Sequence, residues 1–319
     1  VERERPLPTI ERALSGPGSR SDTSWRRQVK VVTGGQGPGQ RDRETLDRNR
    51  ARLPLTGARR IVVLGCTRGA GQTVTALMTG HILAAARGVP VAALDLNPGS
   101  NSLAARSTLS GSITALLAGA EAAKDQDQRT GTNTGAREAG AREARARLDV
   151  IADPPTDGRA RPLEGDDYQR LADLLAERYP LTMIDPAPTG LTRVLSMADQ
   201  LVLVAPASPE AATSLANTQQ WLAAHGYGEL TGQAVTVING VSRRTMEDVL
   251  RAESAARGRC RAIVRVPWDD LLSSRPRTPS ALHPQTRLAY TALAGVLVAG
   301  MAADPRRLVP GRNLGEHSD

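Results

Sequence analysis

From Arg59 onward the chain alternates short, continuous apolar runs with longer amphipathic stretches, and this alternation restricts the fold more than any other feature. "IVVLG" (61–65), "VPVAALDL" (89–96), "LDVIA" (148–152), "LTMID" (181–185), "QLVLVAP" (200–206), "QAVTVING" (233–240) and "CRAIVRV" (260–266) have the length and aliphatic content of buried strands. Between them, "TVTALMTGHILAAARG" with Gly88 as its stop, "DDYQRLADLLAERY" (166–179) and "PEAATSLANTQQWLAAHG" (209–226) predict helices. Strands apolar on both faces and separated by helices imply an α/β fold, a mostly parallel sheet with helices on both faces. Ligands of such sheets sit beyond the carboxyl ends of the strands. Three features stand at those ends: the loop from Cys66 to Gln72, Asp95 and Asp185.

At 319 residues the chain can bury a substantial core. Lys30 and Lys124 are its only lysines, and arginine carries the rest of the positive charge. Cys66 and Cys260 are too few for a disulfide framework, which points to a reducing compartment. The first sixteen residues, "VERERPLPTIERALSG", hold no apolar core of signal-peptide length. "LAGVLVAGMAA", from Leu293, is too short to span a bilayer and predicts a buried helix. These features together predict a cytoplasmic protein without a transmembrane segment.

Of the net charge of +8, residues 1–60 carry +7, from 14 basic and 7 acidic side chains. Residues 1–58 are also rich in Pro, Gly, Ser and Arg, a composition that predicts a basic, disordered N-terminal tail. Within it, "SWRRQVKVVTGG" offers Trp25, Arg26, Arg27 and Lys30 to an acidic partner, an anionic membrane surface or nucleic acid. The simpler alternative is a solvated linker with one aromatic packed on the domain. Residues 120–148 are polar and repeat "GAREA" at 135 and 140, which predicts an exposed low-complexity insertion. Residues 304–319 predict a flexible C-terminal tail; "DPRRLVPGRNLGEHSD" has no apolar face to lie on a membrane.

The loop after the first strand reads "GCTRGAGQT" (65–73). Phosphate-binding loops curl backbone N–H groups round an anion at a helix N-terminus, with glycines permitting close approach. A lysine then neutralises the β- and γ-phosphates, and a Ser or Thr hydroxyl ligates Mg²⁺. Gly69 and Gly71 can supply the curl and Thr73 the hydroxyl, but the lysine position holds Gln72. Taken alone, "GAGQT" is a weak signal, because tight strand-to-helix turns use glycine for steric reasons too.

Residues 59–303 as a whole resemble the MinD/ParA group of P-loop ATPases, whose loop commonly reads GKGGVGKT where this chain has "CTRGAGQT". "ALDLNPGSN" resembles the group's DxDPQGN switch, and "LTMIDPAP" its Walker B stretch. "ADQLVLVAPASPEAATSLANTQQWLAAHGY", "AVTVINGVSRRT" and "VRVPWDDLL" are most similar to MinD-like proteins associated with type VII secretion in high-GC Gram-positive bacteria. The resemblance implies a P-loop NTPase-like domain over 59–303 that takes ATP and Mg²⁺. Thr67, Arg68, Gly69, Ala70, Gly71, Gln72, Thr73 and Val74 would surround the phosphates, and Asn239 would read the adenine edge. Thr73, Asp95 and Asp185 would form the magnesium shell. The residues alone leave Asp95 and Asp185 open as helix caps and Asn239 as a turn residue before Gly240.

The departures from the family pattern concern chemistry. The loop lysine corresponds to Gln72, the signature lysine that reaches a partner subunit's nucleotide corresponds to Thr67, and the water-orienting aspartate corresponds to Asn97. Losing one charge-stabilising contact typically slows such chemistry by about two to three orders of magnitude. Arg68 is the substitute cation inside the loop, although its planar fork differs in reach from a lysine. The expectation is a degenerate site, a pseudo-ATPase acting as scaffold or regulator for secretion or partitioning machinery. Its partners would be a protein of that machinery and a second copy of the chain. The alternative is an active ATPase using Arg68 to position a plasmid, chromosome or secretion apparatus. A third reading, nucleic-acid binding through the basic tail, has little support from the near-neutral body.

His81, His225, His283 and His317 show no metal-ligand spacing among themselves or with the cysteines. Cys66 is either a reactive thiolate at a helix N-terminus or a small residue that fits. Trp268 is expected under the nucleotide edge or in the core, with Asp269 and Asp270 beginning a helix.

Overall fold

The computed structural model describes residues 29–31, 39–120, 146–153, 163–273 and 278–303, and every apolar run predicted as a strand is one. In chain order the elements begin with β1 (Val29–Val31), α1 (Gln40–Ala51), β2 (Arg59–Gly65) and α2 (Gln72–Arg87). They continue through β3 (Val91–Asp95), α3 (Leu103–Arg106), β4 (Leu109–Gly111), β5 (Leu148–Ile151), α4 (Asp167–Ala176) and β6 (Leu181–Asp185). The C-terminal half adds α5 (Leu191–Ser196), β7 (Gln200–Pro206), α6 (Ala211–Ala224), β8 (Val235–Val241), α7 (Met246–Ala256), β9 (Ala262–Pro267) and α8 (Pro284–Ala302).

The strands form one 9-stranded sheet in the order β1-β9-β8-β7-β2-β6-β3-β5-β4, and every pairing is parallel. Successive side chains of a strand point to opposite faces, so each strand feeds two cores. Ile61 and Val63 join one core with α2 and α8, while Val62 joins the other with α4, α6 and α7. This double burial is why the strands read as continuous apolar runs. The run from Leu293 lies in α8 up to Ala302, with Leu293–Val298 and Met301 buried. Among the described residues, no helix is long and apolar enough to cross a membrane.

The expected boundary at residue 58 does not hold. β1 pairs with β9 at the sheet edge, Val29 opposite Ala262 and Val31 opposite Val264. α1 packs across α8, close enough that a Cβ on Gly295 would stand 2.6 Å from the Asp47 carbonyl oxygen. Arg87 Nη1 donates to the carbonyls of Ala51 (2.9 Å) and Leu53 (2.8 Å), and Arg52 Nε donates to that of Ala86 (2.9 Å). A segment poor in apolar residues thus folds by borrowing a finished helix face and sheet edge, which composition alone does not reveal. Trp25, Arg26 and Arg27, most of the 120–148 insertion and the 304–319 tail lie outside the described residues.

Candidate functional site

β2 runs through the sheet between β6 and β7, so the loop that leaves it opens at the centre of the carboxyl edge. The Cys66 N–H still donates to Val204 O (2.8 Å), after which the chain turns away. Gly69 (φ 77°) and Gly71 (φ 95°) hold left-handed backbone that a side chain would strain. α2 then starts at Gln72 without a side-chain cap, leaving first-turn N–H groups for a ligand.

Gln72, where the family carries its lysine, points into the protein. Its Oε1 accepts from the Gly65 N–H (2.7 Å), and its Nε2 donates to Pro186 O (2.9 Å) and to Asp185 Oδ1. One neutral side chain therefore ties the loop to the end of β6. Asp185 is fully buried, and burial pushes its pKa up to about 6. Thr73, Gln72 and the charge of Arg106 act against that rise, whereas neighbouring Asp95 adds to it. The carboxylate's other oxygen, Oδ2, is buried with no hydrogen bond of good geometry.

Asp95 stands beside Asp185 in register. Its oxygens accept from the N–H groups of Asn97 (3.1 Å) and Ala104 (2.8 Å), so it caps the turn that leads into α3. Burial raises its pKa, opposed by the Ala104, Ser102, Asn97 and Leu103 contacts. Asn239 Nδ2 donates to Ala70 O (3.1 Å) and lies against Gly71, where a Cβ would meet it at 2.1 Å. Its amide braces the loop from outside the cleft.

A cleft of about 1120 Å³ opens over the loop. Thr67, Arg68, Gly69, Ala70, Gly71, Gln72, Thr73 and Val74 line one wall, Asn97 and the turn to Ser102 another, with Trp221 of α6 at the mouth. Asp95, Asp185 and Asn239 are not among the lining residues. Arg68 is exposed, and the Thr67 Oγ1 is buried without a hydrogen bond. Sequence reasoning missed Arg106: it ends α3 and lines this cleft, its Nε donating to Asn101 O (3.2 Å). No motif marks it, because only the folding back of 95–106 brings it to the loop.

Burial pushes the Cys66 thiol up to about 12, against a weaker lowering by Thr218, so it is no thiolate near neutral pH. Trp268 is 68% exposed, its ring edge lying by Gly240, rather than in the core. His283 comes together with Asp269 and Asp270, their ligand atoms within 4.8 Å of one another, although sequence spacing gave no sign of it. Asp269 already accepts from the N–H groups of Leu271 (3.0 Å) and His283 (3.0 Å).

An uncapped helix start, a left-handed glycine pair and an unsatisfied buried carboxylate oxygen beside Thr73 suit a phosphate group with its magnesium ion. The side chain at 72 contributes no charge to that set.

No family model matches the chain. It is 30% identical over 264 residues to the ESX-1 secretion-associated protein EspI of Mycobacterium tuberculosis, strains CDC 1551 and H37Rv, over 78% of this chain and 38% of that protein. The chain thus spans about two fifths of the length of these curated relatives. A ParA family ATPase from Chlorobium tepidum superposes with a TM-score of 0.51 at 16% identity, over 77% of this chain and 96% of that one. The MinD cell division protein of Aquifex aeolicus gives 0.49 at 14%, over 74% and 95%. The chain has the parallel α/β fold of a ParA family ATPase, and a sequence relative is a secretion-associated protein.

Proposed function

We propose that this MinD/ParA-like chain is a nucleotide-binding scaffold or regulator of secretion machinery that turns ATP over weakly or not at all. The observation that carries this reading is Gln72, a neutral amide that bonds Gly65 on one side and Asp185 and Pro186 on the other. A lysine there would neutralise phosphate charge; the amide instead ties the loop to the end of β6. Thr67 brings no cation to reach across a dimer. Asn97 lines the cleft as a neutral amide, able to hold a water molecule but not to take its proton.

The loop N–H groups from Gly69 to Thr73 would bind the phosphates, and Thr73 and Asp185 would hold magnesium. Magnesium, when bound, would screen phosphate charge. Binding without efficient turnover would make nucleotide a switch of conformation or of self-association. The 30% identity to EspI supports the secretion link, in line with the type VII resemblance; partitioning machinery is the other family setting. The absence of a membrane-crossing helix among the described residues is in keeping with a cytoplasmic setting.

Calorimetric titration with Mg·ATP and Mg·ADP, beside steady-state turnover, tests this reading. Wild type should bind, and the Thr67→Lys, Gln72→Lys variant should hydrolyse at least about a hundredfold faster. Equal turnover in the two proteins overturns the proposal. The active-ATPase alternative requires wild-type turnover that Arg68→Ala abolishes.

A further inference from the structure

We infer that Arg106 is the phosphate-facing cation of this cleft, supplying from the turn after β3 the positive charge that Gln72 does not bring. The inference deepens the reading above and rests on it for the identity of the ligand. Its first support is the composition of the wall. Among the described residues, Arg68 and Arg106 are the only charged side chains lining the cleft, and no carboxylate lines it. The two acids of the site, Asp95 and Asp185, lie buried beneath. Such a surface selects anions.

The two arginines are not equivalent. Arg68 is exposed at the loop crest, where water screens it. Arg106 is half-buried, and its charge is felt at Asp185, the residue placed to hold the metal. Its position is also built: Asp95 accepts from Ala104 N, Ser102 Oγ accepts from Ala105 N (3.3 Å), and Arg106 Nε donates to Asn101 O. The turn is thereby anchored to the end of β3, and the guanidinium is steered by its own Nε bond. A planar fork held this way can pair with two phosphate oxygens, a geometry that a lysine in the loop does not offer.

The test uses inorganic tripolyphosphate, which carries the phosphate chain without a base, beside Mg·ATP. Arg106→Gln should weaken tripolyphosphate binding by roughly tenfold to a hundredfold, and Arg68→Ala by less. Wild type that binds tripolyphosphate but no nucleotide, with the loss on Arg106→Gln, upholds this inference while the nucleotide reading fails. Wild type that binds neither overturns the inference, as does an Arg106→Gln variant within about twofold of wild type. Should the variant not fold, phenylglyoxal modification of the native protein decides the matter. Arg106 shielded by tripolyphosphate supports the inference, and Arg106 equally modified with and without it overturns it.

Discussion

The loop at 66–73 and the turn at 95–106 face each other across one cleft, and they divide its tasks in an unexpected way. The loop, the part whose family counterpart brings lysines, uses its central side chain as internal scaffolding through Gln72. The turn, whose family counterpart brings an acid, keeps Asp95 for capping and turns an arginine toward the cleft. Loop backbone and cationic side chains are therefore separable parts of one cleft, because the backbone is fixed by local geometry and a charge needs only reach. The difference also separates two kinds of consequence. Changes at Gln72 should move stability most, and changes at Arg106 should move ligand binding most.

The largest effect is expected at Gln72. Gln72→Ala removes bonds to Gly65, Asp185 and Pro186 and takes one donor from a buried carboxylate, a loss of about 3 kcal/mol in urea unfolding. A loss below about 1 kcal/mol would show that the amide is not structural.

Asp185→Asn should act in the opposite direction. The pKa of Asp185 is raised to about 6, so its contribution favours the folded state in acid and is lost as pH rises through that value. The variant should be more stable than wild type at pH 7.5 by on the order of 2 kcal/mol, with the gap closing toward pH 4.5 in thermal melts. A gap that persists in acid would remove titration as its cause.

The two loop glycines sharpen the comparison further. Gly71→Ala strains left-handed backbone and drives into the Asn239 amide, whereas Gly69→Ala meets nothing within 4 Å and is strained alone. The first should cost about 2 kcal/mol and the second about 1 kcal/mol. Equal costs would mean that Asn239 does not brace the loop. The smallest change belongs to the turn: Arg106→Gln should alter unfolding stability by less than about 1 kcal/mol, although it cuts anion binding.

Much of the fold was legible in the chain because a two-sided parallel sheet writes itself as uninterrupted apolar runs, and "QLVLVAP" matches β7 residue for residue. The strands that were missed, β1 and β4, are the sheet edges, each three residues long and too short for a legible period. α1 was missed for a related reason: its stability comes from α8, a partner that local composition cannot announce. At the cleft, the glycines, Thr73 and Asp185 could be singled out as candidates from order along the chain, as could the neutral Thr67 and Gln72. The cap at Asp95 was one of two readings the chain left open, whereas which way Gln72 faces and that Arg106 joins the cleft were not readable.

The sequence by itself determined that strands alternate with helices, that a glycine loop follows the first central strand, and that two lysine positions are empty of charge. Periodicity and spacing are properties of neighbouring residues, and they survive without a fold. Only the tertiary structure decided where the remaining charge stands, since Arg106 and the loop are separated by a helix and a strand and meet because both lie at the carboxyl edge of the sheet.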